Sequence, residues 1–235
     1  MATLPPLSQG IRDVLMSDAW FASLPESVRA DILSRAHGRV FAAGQWVFSR
    51  GDEPEGLYVV IEGIIRLSGV TREGRETILD FYGPGFWFGE ISMLDGGRRM
   101  YDAVTEGHLL VLQLGAPDLE QLLEMHPAFS RALLRLEAQR LRLVLSAIES
   151  YSAQSMKQRL ANRFLILAER HGTTTPRGVG FRIELSHETL ARLIGTTRQR
   201  VNQILNEWKL KGLVEHHYGR IVLVDIAALK ELARI

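Results

Sequence analysis

Between Ser186 and Gln203 the chain carries side chains suited to hydrogen bonding rather than to covalent chemistry. Ser186, His187, Thr196, Thr197, Arg198, Gln199, Arg200, Asn202 and Gln203 fall there, and Arg220 follows. Arginine can bond O6 and N7 of guanine with both arms of its fork, and Asn or Gln can bond N6 and N7 of adenine. The spacing fits such a use. Val201, Ile204, Leu205 and Trp208 recur at i, i+3, i+4 and i+7, which buries one stripe of a helix. The opposite face then shows Gln199, Asn202, Gln203 and Asn206, flanked by Arg198 and Arg200. An ordinary solvated helix face has the same residue types, so the neighbouring elements must decide.

Those neighbours point to a helix-turn-helix with a wing. Ahead lies LSHETLARLIG, with Leu190, Leu193 and Ile194 on one face and Gly195 breaking the pattern. Thr196 to Gln199 has the form of a capping box and predicts the start of the second helix there. After Leu213-Val214, the run Glu215-His216-His217-Tyr218-Gly219-Arg220 leads into Ile221-Val222-Leu223-Val224. Two short β runs around a Tyr218-Gly219 turn predict a hairpin. The stretch LSHETLARLIGTTRQRVNQILNEWKLKGLVEHHYGRIVLVD resembles the winged helix of CRP/FNR-type bacterial transcription regulators. In such a protein the recognition helix enters the major groove and the wing meets phosphates.

Charge is distributed accordingly. The net charge is +1. Residues 151–235 hold 14 Lys and Arg against 7 Asp and Glu, whereas residues 1–150 hold 14 against 20. A basic C-terminal third implies a polyanionic partner there. With no cysteine the chain has no disulfide, thiolate zinc site or cysteine-held iron–sulfur cluster. The start, MATLPPLSQG, lacks the basic and apolar regions of a signal peptide. No apolar run approaches the roughly 20 residues of a membrane span, so a cytoplasmic location is expected.

The remaining elements read in order. Val14, Leu15, Trp20, Phe21, Leu24, Val28, Ile32 and Leu33 make residues 11–37 a helical lead-in, with Pro25 starting its second segment. From Arg39 to Gly115, short β-rich runs (Val40-Phe41, 46–48, 57–61, 64–67, 77–81 and 109–112) alternate with turns at 50–52, 62–63 and 72–74. That texture predicts a β-sandwich or small barrel. RGDEPEGLYVVIEGIIRL and FGEISMLDGGRR resemble the β-roll sensor of the same family, so the resemblance extends over almost the whole chain. Pro117 to Glu124 predicts a short helix, and His126-Pro127 starts a long one running to about Ser150. Leu134, Ala138, Leu141, Leu145 and Ile148 follow heptad a/d spacing; Leu133, Leu136, Leu143 and Ala147 form a second stripe. One stripe can seal the roll and the other can pack on a twin helix. A helix buried within one subunit would show the same stripes, and the resemblance favours dimerisation. Residues 150–153 are the expected hinge, Met156 to about His171 the next helix, 173–180 a polar loop, and Asp225 to Leu232 a closing helix.

The expected class is therefore α+β: an N-terminal antiparallel β-roll of jelly-roll type (1–125), a dimerisation helix and hinge (126–151), and a winged helix-turn-helix domain (152–235). The resemblance implies double-stranded DNA with a near-palindromic operator, a second copy of the chain and RNA polymerase as partners.

It also implies an effector pocket. In the family a glutamate after glycine accepts a ribose hydroxyl, and an arginine with main-chain amides meets the phosphate. Phe88-Gly89-Glu90-Ile91-Ser92 matches the opening, and Arg99 matches the arginine. Met100 and Tyr101 depart from the usual Ser/Thr and small residue, and methionine cannot donate to a phosphate. Val144 and Leu145 stand where hydroxyls face the purine in cAMP-responsive members, and neither can hydrogen-bond a base. These departures point away from cAMP and leave another cyclic nucleotide or dinucleotide such as cyclic di-GMP, or no small ligand. In the last case Glu90 and Arg99 are scaffold, with Arg99 expected to pair with Glu90 or Asp102. A haem sensor would draw ligands from His108, His126 or Met100, but their spacing does not demand it. An enzyme reading finds no support. A cupin-type metal site would need a His-x-His pair, and between Arg39 and Gly115 the only histidine is His108. No nucleophile elbow or phosphate-binding Gly-Lys loop occurs.

Overall fold

The computed structural model describes residues 8–217 and 220–234, apart from the side chains of 150–153 and 217. Three helices lead in: α1 (Gln9–Ser17), α2 (Ala19–Ala22) and α3 (Glu26–Arg35). The roll follows: β1 (His37–Phe41), β2 (Trp46–Phe48), β3 (Gly56–Glu62), β4 (Ile65–Val70), β5 (Glu76–Tyr82), β6 (Trp87–Phe88), α4 (Glu90–Asp95), β7 (Asp102–Thr105) and β8 (Leu109–Gly115). Then come α5 (Ala116–Met125), α6 (Pro127–Ala153), α7 (Met156–His171), β9 (Gly172–Thr175), β10 (Gly178–Phe181), α8 (His187–Ile194), α9 (Arg198–Leu210), β11 (Val214–His217), β12 (Arg220–Leu223) and α10 (Ile226–Ala233). The class is α+β. The chain divides into two compact units, residues 1–69 with 81–144, and residues 70–80 with 145–235.

Two antiparallel sheets, ordered β1-β8-β3-β6 and β2-β7-β4-β5, form the roll. Because side chains alternate along a strand, Leu57, Val59 and Ile61 of β3 face one core while Tyr58 and Val60 face another. The first core is shared with Leu15, Phe21 and Ile32 from the lead-in helices and with Leu119, Leu122, Phe129 and Leu133. The second lies inside the roll with Val47, Ile65, Phe88 and Val111. Burial on both faces explains why β3 reads as a continuous apolar run. Strands β6 and β7 were not expected. Each is short, and β7 opens on a polar residue, Asp102, so neither shows enough alternation to be read alone.

α6 packs on the roll through part of one face. Leu133 is buried and Leu136 half-buried against the roll, whereas Leu143 and Ala147 are exposed, so the second stripe meets the roll only over its first half. Leu134, Ala138, Leu141, Leu145 and Ile148 are not buried, and the leucines and the isoleucine stand well exposed. The side chains of the expected hinge at 150–153 lie outside the described residues. The helix itself continues to Ala153, and the non-helical joint is Gln154-Ser155. The capping box lies just after it: the Ser155 hydroxyl accepts from the Gln158 amide, and the Gln158 side chain accepts from the Ser155 amide.

In the second unit a four-stranded sheet is ordered β11-β12-β10-β9. The polar loop expected at 173–180 is in fact the β9–β10 hairpin, turning through Pro176-Arg177. Val179 pairs with Leu223 of β12, which extends the wing's sheet. Gly178 makes this possible: its φ is +144° and a Cβ there would lie 2.0 Å from the Leu223 carbonyl oxygen. The Tyr218-Gly219 turn lies outside the described residues. α7 supplies Leu160, Phe164 and Leu167, α8 supplies Leu190, Leu193 and Ile194, and α9 supplies its whole apolar stripe to the buried interior.

Candidate DNA interface and sensor cassette

The two helices of the candidate interface are set by their ends. Ser186 caps α8 by accepting from the Thr189 amide at 3.0 Å. Gly195 closes α8 in the left-handed region at φ +67°. The cap of α9 is Thr197, whose hydroxyl accepts from the Arg200 amide at 3.2 Å. The sequence pattern placed that cap one residue earlier. Thr196 instead belongs to the turn, its amide donating to the Ala191 carbonyl at 3.0 Å. Helix phase fixes the rest. With Val201, Ile204, Leu205 and Trp208 buried, Arg198, Gln199, Arg200, Asn202, Gln203 and Asn206 are exposed. Arg200 Nη1 donates to the side-chain Oε1 of Gln203 at 3.1 Å, which leaves the Gln203 side-chain NH2 to donate elsewhere. His187, Arg198, Gln199 and Asn202 line an open concavity of about 500 Å³. Arg220 is exposed at the start of β12. Ser186 and Thr197 spend their hydroxyls on capping.

Sequence reasoning missed one feature here. His187 and His216 bring their Nε2 atoms within 2.7 Å of each other. Spacing along the chain carries no sign of it, because the wing folds back onto α8.

The sensor cassette lies within the first unit. Gly89 adopts φ +87° at the start of α4, where a Cβ would lie 2.9 Å from Arg99 Nη1 and 3.2 Å from the Gly56 carbonyl oxygen. Arg99 is buried. Its Nη1 donates to the Gly89 carbonyl at 2.6 Å and its Nη2 to the Gly56 carbonyl at 2.7 Å. The guanidinium sits 4.3 Å from the Phe48 ring centroid. Burial pushes Arg99 below the usual arginine range and Tyr58 above the usual phenol range.

The expected pairing of Arg99 with Glu90 or Asp102 is not what forms. Arg99 is held by main-chain carbonyls at the start of β3 and just after β6. The Asp102 carboxylate accepts from the Arg50 amide at 2.7 Å, across the neighbouring turn. Glu90 is buried and pairs with Arg140 of α6. Arg140 Nη2 also donates to the Trp87 carbonyl at 2.6 Å, and its guanidinium lies 4.9 Å from the Phe86 centroid. Beside it, burial first and then the Glu90 charge push the Glu137 carboxyl up. Sequence reasoning missed Arg140 as well. It continues the roll-facing spacing of Leu133 and Leu136, which was the available signal. Phe88 and Ser92 are buried, with Ser92 donating to the Arg98 carbonyl at 3.1 Å. Ile91 and Met100 are exposed instead, as are Val144 and Leu145.

The haem-ligand candidates are scattered. His126 Nε2 lies 3.0 Å from an Asp31 carboxylate oxygen, His108 is exposed, and Met100 is exposed to solvent. No group of three or more metal-ligating side chains occurs among the described residues. No helix of the described residues is long and apolar enough to cross a membrane.

A β-roll with this cassette, a long helix, and a helix-turn-helix closed by a wing define a class of DNA-binding transcription regulators. Comparison with known proteins agrees. Residues 38–126 match the cyclic nucleotide-binding domain, and residues 158–232 match the Crp-like helix-turn-helix domain. The chain is 31% identical over 201 residues to the cyclic AMP receptor protein of Thermus thermophilus, covering 86% of this chain and 90% of that protein. It is 27% identical over 222 residues to the CRP-like cAMP-activated global transcriptional regulator of Mycobacterium tuberculosis, covering 94% and 99%. Among solved structures, a CRP/FNR-family transcriptional regulator from Thermus thermophilus is similar, with a TM-score of 0.65 and 30% identity over 84% of this chain and 98% of that one. The chain belongs to the CRP/FNR family of transcription regulators.

Proposed function

We propose that this regulator works as a homodimer on a near-palindromic operator and that cAMP is not its switch. The dimer seam is the exposed stripe of α6, each copy presents one α9 to the major groove, and Arg220 with the basic rim of residues 152–235 meets phosphates. RNA polymerase is the downstream partner. The residue types carry the effector reading: Met100, Val144 and Leu145, which the resemblance aligns with the positions that hydrogen-bond a cyclic nucleotide, offer only apolar or thioether surface. A purine facing Val144 and Leu145 leaves ring donors and acceptors unpaired, at about 1–3 kcal/mol each. A few such losses span decades of affinity, at about 1.4 kcal/mol per decade. A ligand shifts a conformational equilibrium only by its differential affinity for the two states. The apo protein is therefore expected to bind its operator already. Saturating cAMP should leave operator affinity within about twofold. The competing reading, a cAMP-responsive regulator, draws on the two relatives named for cAMP and on the retained Glu90 and Arg99. It predicts a gain of about tenfold or more, abolished by Arg99→Ala. Calorimetric titration with cAMP, cGMP and cyclic di-GMP, with operator affinity measured in parallel, decides between them.

Base readout has its own test. Arg198→Ala, Gln199→Ala and Gln203→Ala should each cost about 1–3 kcal/mol on the selected site and relax preference at one base pair. The family commonly carries a glutamate where Gln199 stands, so the preferred half-site should differ at that position. Equal losses on selected and random duplexes would mean that these side chains only hold phosphate.

A further inference from the structure

His187 opens α8 and His216 lies in β11, and both are half-buried. Their ring centroids are 4.6 Å apart with the planes inclined by 22°, while their Nε2 atoms are 2.7 Å apart. The two nitrogens are therefore closer to each other than the ring centres are. Two imidazole nitrogens at that distance share one hydrogen: one ring donates and the other accepts. His187 borders the concavity that also holds Arg198, Gln199 and Asn202.

We infer that the His187–His216 pair is a proton-accepting clasp between the helix-turn-helix and its wing, holding the wing in place and taking up a proton when a DNA phosphate docks. This rests on the reading of the surface as a DNA interface.

The states follow from imidazole chemistry. With both rings neutral, the bridge stands uncharged. One added proton goes to Nδ1 of the donor ring, so the bridge survives with a single positive charge. A second added proton places N–H on both facing nitrogens, and the bridge is lost. In the free protein the first proton is disfavoured. Burial, then His216 and Arg198, hold His187 below the ordinary histidine range. Among the described residues the neighbouring carboxylates do not offset this. On α8 the Glu188 carboxylate accepts from Arg192 at 3.3 Å, and on β11 Glu215 accepts from Arg177 at 3.0 Å. From α9 come the Arg198 cation and the non-titrating amides of Gln199 and Asn202. A docking phosphate supplies the missing negative charge, which favours the protonated pair. The complex then binds more protons than the free protein, so affinity rises as pH falls. One proton limits the gain to about tenfold per pH unit.

The test measures affinity, at fixed ionic strength, for a duplex selected by the protein from a random pool, between about pH 8 and about pH 6. The wild type is expected to gain between about threefold and about tenfold per pH unit. In His187→Gln and His216→Gln an amide still donates and accepts, and each variant is read by its slope with pH rather than by its affinity at one pH. Over the same range they should gain less than about twofold, because an amide does not titrate. Equal slopes in the wild type and both bridge variants would overturn the inference. A DNA-free arm separates it from the interface reading: the imidazole proton resonances of His187 are followed against pH in the full-length protein. His216→Gln should shift the His187 titration, because an amide that does not titrate then faces the ring. An unchanged titration would overturn the clasp whether or not DNA binds. If no duplex is selected, the interface reading fails and this titration alone decides.

Discussion

For the proposed homodimer, replacing Leu141 by Asp is expected to give a monomer and to abolish tight operator binding. In the single chain, Leu134, Leu141, Leu145 and Ile148 are each more than half exposed, at 68%, 58%, 56% and 62%. With Ala138 they follow one stripe along α6 at alternating steps of four and three, the seam of a two-stranded coil. Fully burying one such side chain is worth about 1.5–3 kcal/mol, and a two-fold axis doubles every contribution. An aspartate at 141 does more than remove one leucine. It brings two carboxylates to facing positions of an apolar seam, where desolvation costs several kcal/mol per ion and the like charges repel. A monomer offers one recognition helix to one half-site and loses the effective concentration of the second. That should cost at least about 100-fold in affinity. Leu143→Asp is the control: Leu143 is 68% exposed on the same helix but off the stripe. That variant should stay dimeric in sedimentation velocity and keep its DNA affinity. A Leu141→Asp protein that sediments as a dimer would place the interface elsewhere.

The stripe itself was readable from sequence because a heptad is a property of one helix. The same holds for α9, whose phase alone separates Val201, Ile204, Leu205 and Trp208 from Gln199, Asn202 and Gln203. Reading became harder where a residue's role depends on a partner distant in the chain. Thr174 and Val179 look like loop residues until β12 supplies the edge that pairs with β10. Asp102 looks like a partner for Arg99 only because the two are near in sequence. In three dimensions the Arg50 amide takes the carboxylate, and the Gly56 and Gly89 carbonyls take the guanidinium. Arg140 and the His187–His216 bridge were missed for the same reason. Thr196 and Thr197 illustrate a local limit. Both can cap, and the choice is made by Gly195, whose left-handed turn sends the Thr196 amide back to Ala191.

The interior behind the recognition helix yields the largest expected loss of stability. Trp208 is 1% exposed and meets the Phe164 ring edge-on, with centroids 6.1 Å apart and planes at 60°. Its carbonyl also accepts from the Leu213 amide at 2.9 Å, which fixes the chain's path from α9 into the wing. Trp208→Ala keeps that main-chain bond but empties the largest side-chain volume in this interior, and truncations of this kind cost about 3–5 kcal/mol. Natural domains are stable by only about 5–15 kcal/mol, so most of the margin disappears. At about 4–8 °C per kcal/mol for a domain of this size, the melting transition should fall by at least about 12 °C. DNA affinity should fall with it, because α9 is positioned by the stripe that Trp208 ends. Asn206→Ala separates packing from recognition. Asn206 lies on the exposed face of the same helix, so its loss should change stability by no more than about 0.5 kcal/mol. The measurement is thermal unfolding followed by far-ultraviolet circular dichroism, with operator affinity taken well below each transition. A Trp208→Ala shift under about 4 °C would mean less than about 1 kcal/mol of lost packing, too little for a tryptophan enclosed against Phe164.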